Sequence, residues 1–588
     1  MTTDHGVVFL SAFVGSLLLT LVAERMARRA GIVARPAADR WHRESVPLLG
    51  GVGIVLATLG PTLVVAHGDR SLTVLALTAF AMAGVGLLDD VRALSPQVKL
   101  LAQVLLAAVL LQFGFLLRLT GYRFVDVFVT LFWIVGITNA FNLLDNMDGL
   151  AATIALVTAA FRLLFFAGEG HLAGVQVTAA FMGAVAGFLA RNFPPAKIFM
   201  GDAGSLFLGF FLAGLSLATT AWPYSRGVFA VLVIPVLLLM IPIFDTAFVT
   251  ATRVLSGRSI AVGGRDHTSH RLVAVGLSER KAVVLLATIS AAAGGVALVS
   301  YQVGLSQTVM LLALLVIGLV LLGIYLSRAR VVATPEQRNG GAVLSLLADF
   351  QYKRQVMTLA LDVCLILLAY YGAYVIRFEH AFAQHRDQLY ASLPVALLVQ
   401  LVTFSAFGLY RGIWQYTGVS DVLRIVKASS VGTMATIVAL IYTHRFYGLS
   451  RTVFVADWLL LVVLIGGSRA SFRFFTEIFR PRPESFGRVL IYGAGDGGEI
   501  VLREVLNNAA LQRVPVGFVD DDRDKHQTRI HGLPVFGGSE LIERLVRERD
   551  VTELIVSSSR ITGKKLDAAA AVCRALNVRV TRAALRLE

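Results

Sequence analysis

The feature that most constrains this chain is a repeated run of apolar residues. About fifteen stretches, each long enough to cross a bilayer at ~1.5 Å per helical residue, follow one another before residue 470. Eleven lie near 6–24, 48–66, 71–88, 98–119, 124–142, 149–167, 174–191, 204–221, 227–250, 279–300 and 306–327. Four more lie near 355–376, 392–410, 425–444 and 452–470. In lipid the backbone can satisfy its polar groups only internally, so runs of this kind fold as helices. Composition agrees: 56% of residues are hydrophobic, 15% are charged and the mean hydropathy is +0.73. After Phe486 the texture changes to short β-rich runs between charged helical segments. The fold class read from this pattern is a polytopic α-helical membrane protein with a C-terminal cytoplasmic α/β Rossmann-like domain. The first stretch lacks a basic leader and an Ala-x-Ala-like cleavage site, and is read as a retained helix.

The net charge of +15 does not point to nucleic acid, because Lys and Arg gather in the cytoplasmic loops of membrane proteins. Arg25, Arg28, Arg29, Arg35, Arg40 and Arg43 crowd the first loop, and Arg253, Arg258, Arg265 and Arg271 crowd the loop after the ninth stretch. Counting helices puts both loops on one side, with the N-terminus outside and the C-terminal domain in the cytoplasm. Cys364 and Cys573 are the two cysteines. They form no disulfide framework.

Five polar clusters interrupt the first 330 residues: RWHRESVPLLGG (40–51), LLDDVRALSPQVK (87–99), NAFNLLDNMDG (139–149), RNFPPAKIFMGDAGS (191–205) and GGRDHTSHRL (263–272). By the same helix count all five reach the cytoplasmic face, whereas scattered loop charges would fall on both. Asp89, Asp90, Asp145, Asp148, Asp202 and Asp245 converge there, and carboxylates brought together repel unless something positive neutralises them. Oxygen ligands without cysteine suit Mg²⁺ or Mn²⁺ better than zinc, and such an ion serves phosphate chemistry. Lys99, His42, His267, His270 and Arg271 supply positive charge or donors for further phosphates. Taken singly, an Asp-Asp pair is a helix cap, GDAGS a turn and His-x-x-His a loop pair. Their coincidence on one face favours a site.

Residues 1–330 resemble the polyprenyl-phosphate N-acetylhexosamine-1-phosphate transferases. LLDDVRALSPQVK resembles that family's Asp-Asp motif with its downstream lysine, NAFNLLDNMDGLA its Asn-Asp motif, FMGDAGSLFLG its third, and DHTSHRL its histidine motif. Ser269 stands where many members carry a further histidine. The resemblance implies transfer of a sugar-1-phosphate from a UDP-sugar to undecaprenyl phosphate at the bacterial inner membrane, releasing UMP and initiating cell-surface glycan synthesis. It also implies roles. Asp148 and Asp202 would bind Mg²⁺, while Asp89 and Asp90 would position or deprotonate the lipid phosphate. Lys99 and Arg271 would neutralise phosphates, and His267 and His270 would hold the diphosphate. Phe199 would stack on uracil, and Asn142 and Asp145 would shape the nucleotide pocket. His42, Asn139, Asn192, Asp245 and Arg265 complete the expected substrate contacts. Direct attack by the lipid phosphate is favoured; a covalent aspartyl-phosphate on Asp145 or Asp148 is the alternative route. A homodimer, membrane lipid and downstream glycan-assembly enzymes are the expected partners.

The domain reading is a transferase domain at 1–328, a linker with an interfacial helix at 329–352, a four-helix anchor at 353–480 and a nucleotide-binding domain at 486–588. The anchor, with LDVCLILLAYYGAYVIRFE and GLYRGIWQYTGVSDVLRIVKAS, resembles that of membrane-bound nucleotide-sugar 4,6-dehydratases. The soluble part opens GRVLIYGAGDGGEIVLREV, a strand, then Gly493-x-Gly495-x-x-Gly498, then a helix. Asp520, at the end of VPVGFVDDD, stands where a ribose contact is expected. NAD(H) or a nucleotide sugar is the expected ligand. The resembling dehydratases continue into a second, catalytic domain, whereas this sequence stops at Glu588. Tyr492 is its last tyrosine, so no Tyr-x-x-x-Lys pair follows, and binding without oxidation is expected. Two other classes compete with the transferase: a transporter or flippase of lipid-linked sugars, and a non-catalytic scaffold for glycan enzymes. Transporter sites lie near the bilayer midplane between paired repeats, a pattern not found here.

Overall fold

The computed structural model describes residues 3–34, 45–66, 68–218, 227–255, 266–327, 350–410, 419–444, 449–478, 487–507, 511–557 and 563–583, with isolated positions 258, 264 and 561. His42, Arg265, most of the expected linker and most of YRGIWQYTG lie outside the described residues, while the linker's last three positions, 350–352, belong to a helix. The chain divides into two compact units, Met1–Phe479 and Arg480–Glu588.

The first unit is helical. Its helices are α1 (Thr3–Ala30), α2 (Gly50–Val65), α3 (Arg70–Val91), α4 (Pro96–Gln112), α5 (Arg123–Leu144), α6 (Leu150–Gly168), α7 (Leu172–Asn192) and α8 (Gly201–Leu217). Then come α9 (Gly227–Leu238), α10 (Met240–Leu255), the short α11 (Thr268–Ala274), α12 (Glu279–Gln302) and α13 (Leu305–Ser327). A second block holds α14 (Phe350–Phe378), α15 (Arg386–Ala406), α16 (Val419–His444) and α17 (Arg451–Ile478). Among the described residues eleven helices are long and apolar enough to cross a membrane, and twelve if α9 and α10 make one bent span. The protein is therefore a polytopic membrane protein. Three further apolar stretches of the sequence form the shorter helices α2, α4 and α8. The stretch 227–250 is not one straight helix, because the chain bends by 80° between Leu238 and Met240.

Local chemistry explains several helix ends. Asp69 caps α3 by accepting from Leu72 N at 3.0 Å, and Ser95 with Pro96 opens α4, the arrangement a first turn favours. The core of the first block is α8, whose residues Ala203–Ser216 are all buried. It packs against α3 and α5, and its Phe211 stacks on Phe181 of α7 at 4.8 Å while Phe207 lies tilted to the same ring at 6.2 Å. Lipid tails are as apolar as leucine, so close packing rather than water exclusion holds such helices together. Two glycines make that packing close: a Cβ at Gly51 would strike Gly204 N, and one at Gly86 would strike Asp202 O. In the second block Arg469 of α17 donates to Asp362 of α14 at 2.7 Å, both side chains buried.

The second unit carries a four-stranded parallel sheet. Its strands β1 (Gly487–Tyr492), β2 (Arg513–Val519), β3 (Glu553–Val556) and β4 (Arg579–Arg582) lie in the order β2-β1-β3-β4. Helices α18 (Asp496–Asn507), α19 (Ile542–Arg549) and α20 (Lys564–Ala575) provide the crossovers, as parallel strands require.

Candidate active site

The polar centre forms where α3, α4, α5 and α8 end or begin. Lys99, in the first turn of α4, lies 2.7 Å from Asp89 Oδ2 at the end of α3 and 3.3 Å from Asp202 Oδ2 at the start of α8. The short connection from α3 to α4 brings this about, with Leu94 N donating to Asp89 Oδ1 at 2.6 Å. Asn142, in the last turn of α5, donates to Asp202 Oδ1 at 3.0 Å and to Ser205 Oγ at 2.9 Å. Both oxygens of Asp90 accept from the backbone of α8, from Asp202 N at 2.8 Å and Ala203 N at 3.0 Å. Three acids, one ammonium and one amide are thus gathered from four helices.

The loop 145–149 borders this centre. Burial together with the carboxylates of Asp202, Asp148 and Asp90 pushes Asp145 up to about 8. Burial is the larger cause, and the neighbouring carboxylates add to it. Asp148 accepts from Ala196 N at 2.8 Å. Asn192 accepts from Gly149 N at 3.0 Å and donates to Ile198 O at 2.9 Å. Asp148 and Asn192 therefore tie this loop to the 193–200 segment. That segment is fixed in turn by Phe199 N to Pro47 O and Gly50 N to Phe199 O, each 2.9 Å.

A second polar group surrounds α11. Asp245 of α10 accepts from His267 Nδ1 at 2.8 Å, with the ring nitrogen as donor, and from Thr268 N at 2.7 Å. Arg253 clasps Asp266 through two bonds of 2.9 and 2.7 Å. Burial would raise Asp266, but this guanidinium outweighs it and holds the acid below its usual range. The His267 and His270 rings lie 6.2 Å apart. The two groups meet where Ser269 Oγ donates to Asn146 Oδ1 at 2.6 Å.

All five sequence clusters are in this way joined by hydrogen bonds through their described residues. Some expected contacts have other duties. Asn139, expected to touch substrate, exchanges bonds of 2.8 and 3.2 Å with Gln103 and so holds α5 to α4. Arg271, expected to neutralise phosphate, is 5% exposed and donates to Asp266 O and Leu326 O. Sequence reasoning missed Gln103, Asn146, Ser205, Arg253 and Asp266. Gln103 follows Lys99 by four residues and Ser205 follows Asp202 by three, so helical periodicity could have found both. In the second unit Gly498 lies in the first turn of α18, while Gly493 and Gly495 form the turn between β1 and α18. Asp520 accepts from Ala494 N at 2.6 Å within that turn.

The oxygen donors at the first centre fit a hard cation such as Mg²⁺, which keeps waters and phosphate oxygens and takes one or two carboxylates from protein. Among the described residues no three His, Cys, Asp or Glu side chains form a preassembled cage, which that mode of binding does not require.

A family model described as glycosyl transferase family 4 matches residues 72–220, and one described as CoA-binding domain matches residues 405–584. Over 290 residues the chain is 33% identical to the probable undecaprenyl-phosphate N-acetylglucosaminyl 1-phosphate transferase of Bacillus subtilis, covering 48% of this chain and 80% of that protein. It is 29% identical over 320 residues to the decaprenyl-phosphate N-acetylglucosaminephosphotransferase of Mycobacterium tuberculosis, covering 48% and 79%. The chain is also similar to the probable polysaccharide biosynthesis protein EpsC of Bacillus subtilis, 30% identical over 204 residues. That match covers 34% of this chain and 33% of EpsC. With these motifs joined at one centre and a relative of this identity matched over most of its length, the chain belongs to glycosyl transferase family 4, the polyprenyl-phosphate sugar-1-phosphate transferases.

Proposed function

We propose that the first block transfers a sugar-1-phosphate, of the N-acetylhexosamine class, from a UDP-sugar to undecaprenyl phosphate, releasing UMP. The observation that carries this reading is the bridge from Lys99 to Asp89 and Asp202, with Asn142 on the same carboxylate. Its members lie at helix ends rather than in mid-helix, where a lipid phosphate and a soluble nucleotide can meet. A transporter site near the midplane would place them elsewhere. The relatives' names carry N-acetylglucosamine and a polyprenyl phosphate, in line with this substrate class.

In the proposed reaction an oxygen of the lipid phosphate attacks the β-phosphorus of the UDP-sugar. The new phosphorus–oxygen bond forms as the bond from the β-phosphorus to the bridging oxygen breaks, and UMP leaves with that electron pair. Bound Mg²⁺, held by Asp202 and Asp148, would supply charge neutralisation for the phosphates. Lys99 screens the incoming phosphate from Asp89 and Asp202, while Asn142 holds the Asp202 carboxylate in one orientation. Phe199 offers a ring for the uracil. His267 and His270 border the diphosphate, with Asp245 setting the orientation of the His267 ring. Phosphoryl transfer of this kind depends on positioning and charge rather than on protein covalent chemistry. The proposed topology has about fifteen crossings, with α2, α4 and α8 as short spans, the N-terminus outside and the second unit in the cytoplasm.

The second unit is proposed to be Rossmann-like and to bind a nucleoside diphosphate group without redox chemistry. A Cβ at Gly495 would meet nothing within 4 Å, whereas one at Gly498 would strike Gly493 O. Gly498 thus serves packing, and Gly495 leaves room for a phosphate at the start of α18. Radiolabelled transfer from a panel of UDP-sugars to undecaprenyl phosphate in detergent tests the main reading. No labelled lipid from any UDP-N-acetylhexosamine would overturn it.

A further inference from the structure

We propose that Asp90 is a positioning residue, the N-terminal cap that sets Asp202 in place, and not a ligand of the phosphates or the metal. The inference rests on the transferase reading but concerns a separate step of it, how the Asp202 carboxylate comes to face Lys99. Helix α8 begins without a side-chain cap of its own, and the first amides of a helix need acceptors from elsewhere. Asp90 supplies both: Oδ1 accepts from Asp202 N at 2.8 Å and Oδ2 from Ala203 N at 3.0 Å. Two amide donors at the positive end of a helix favour the Asp90 carboxylate and offset part of the cost of burying it.

Glycines around the cap make room for the Asp90 carboxylate. Gly201 enters α8 at φ +68°, and a Cβ there would sit 2.5 Å from Asp90 Oδ2. One turn before Asp90, Gly86 lets α3 touch the Asp202 backbone directly. Held from α3 at its main chain, Asp202 turns its side chain the other way, Oδ1 to Asn142 at 3.0 Å and Oδ2 to Lys99 at 3.3 Å. The neighbouring Asp89 differs in kind. It faces the Lys99 ammonium at 2.7 Å, inside the centre where phosphates must arrive. The two adjacent acids therefore divide the work: Asp89 acts at the substrates and Asp90 acts through Asp202.

The test uses the full chain in detergent, comparing Asp89→Asn, Asp90→Asn and Asp90→Ala. Asparagine keeps one of the two acceptor oxygens that face Asp202 N and Ala203 N, and alanine keeps neither. Asp90→Asn is expected to lower kcat about tenfold, and Asp90→Ala about a hundredfold with a raised Mg²⁺ half-saturation. Asp89→Asn should match the alanine variant in rate. Hydrogen exchange at residues 200–205 should accelerate in Asp90→Ala and not in Asp89→Asn, a readout that does not need activity. If Asp90→Asn is as inactive as Asp89→Asn while exchange at 200–205 is unchanged, Asp90 acts on the substrates and the proposal is overturned. If the unchanged protein transfers nothing, the transferase reading fails, and the exchange data alone decide whether Asp90 caps α8.

Discussion

Ser269 Oγ donates a 2.6 Å hydrogen bond to Asn146 Oδ1, joining α11 to the loop that carries Asp145 and Asp148. Ser269 is 1% exposed, so this chain has a buried brace between two motifs. Ser269→Ala should lower transfer about tenfold, the scale of one lost buried hydrogen bond acting on placement. Asn146→Ala should have a similar effect and the double variant little more. Additive losses in that kinetic cycle would show that the bond does not couple the two motifs.

Metal removal is the simplest test of the acidic centre. EDTA should abolish transfer, and Mg²⁺ or Mn²⁺ should restore it, because phosphates arriving beside Asp89, Asp90 and Asp202 need more positive charge than Lys99 supplies. Labelled lipid counted in the organic phase reads the outcome directly. Full turnover in EDTA would remove the metal from the mechanism.

Lys99→Met should cut kcat at least about a hundredfold, the scale of losing a preorganised charge at a reacting phosphate. The same change leaves Asp89 and Asp202 facing one another without the ammonium that now bridges them. Asp202→Asn should be equally severe. Steady-state kinetics with thermal unfolding as a folding control would check both. Near-normal kcat in Lys99→Met would move the reacting phosphates away from this bridge.

Gly495→Val should abolish nucleotide binding by the second unit without unfolding it, since its side chain would enter open space. Calorimetry with NAD⁺, NADH, UDP-N-acetylglucosamine and UMP on the unchanged and variant proteins makes the comparison. Equal affinities would mean that no ligand approaches this turn.

Acid should unfold the second unit through Asp520 and Asp521. Burial alone would raise both. Asp520, however, accepts from Asp522 N, Ala494 N and Lys525, and Asp521 accepts from Tyr492 and Ser539, and these bonds hold both acids below the usual range. A lowered folded-state pKa favours the fold above the unfolded value near ~3.9. That contribution is lost as pH falls through the folded-state pKa. Thermal midpoints of Arg480–Glu588 should be flat from neutrality to about pH 5 and fall below about pH 4. Asp521→Asn should flatten the fall, and an unchanged curve would assign acid sensitivity elsewhere.

The membrane class, the five clusters and the glycine-rich turn were legible in the sequence because each depends on local pattern. Apolar length decides a helix in lipid, and a strand followed by Gly493-x-Gly495-x-x-Gly498 decides the turn. The duties of individual polar groups were not legible. Asp89 and Asp90 are adjacent and chemically identical, yet one meets Lys99 and the other the amides of α8. Helical geometry sends neighbouring side chains about 100° apart, so their partners depend on which helices pack on each side. Asn139 and Arg271 read as substrate contacts for the same reason, because sequence cannot show that Gln103 and Asp266 reach them first.

What the sequence by itself determined is therefore the inventory: which helices exist, and which residue types stand at their ends. What only the tertiary structure decided is pairing, namely that Asp202 is held at its backbone by Asp90 and at its side chain by Asn142 and Lys99. The physical reason is that these partners lie 60 to 112 residues apart only in chain order. Close approach through Gly51 and Gly86 brings α2 and α3 onto α8, and hydrogen bonds reaching no further than ~3.5 Å then select one partner for each polar atom.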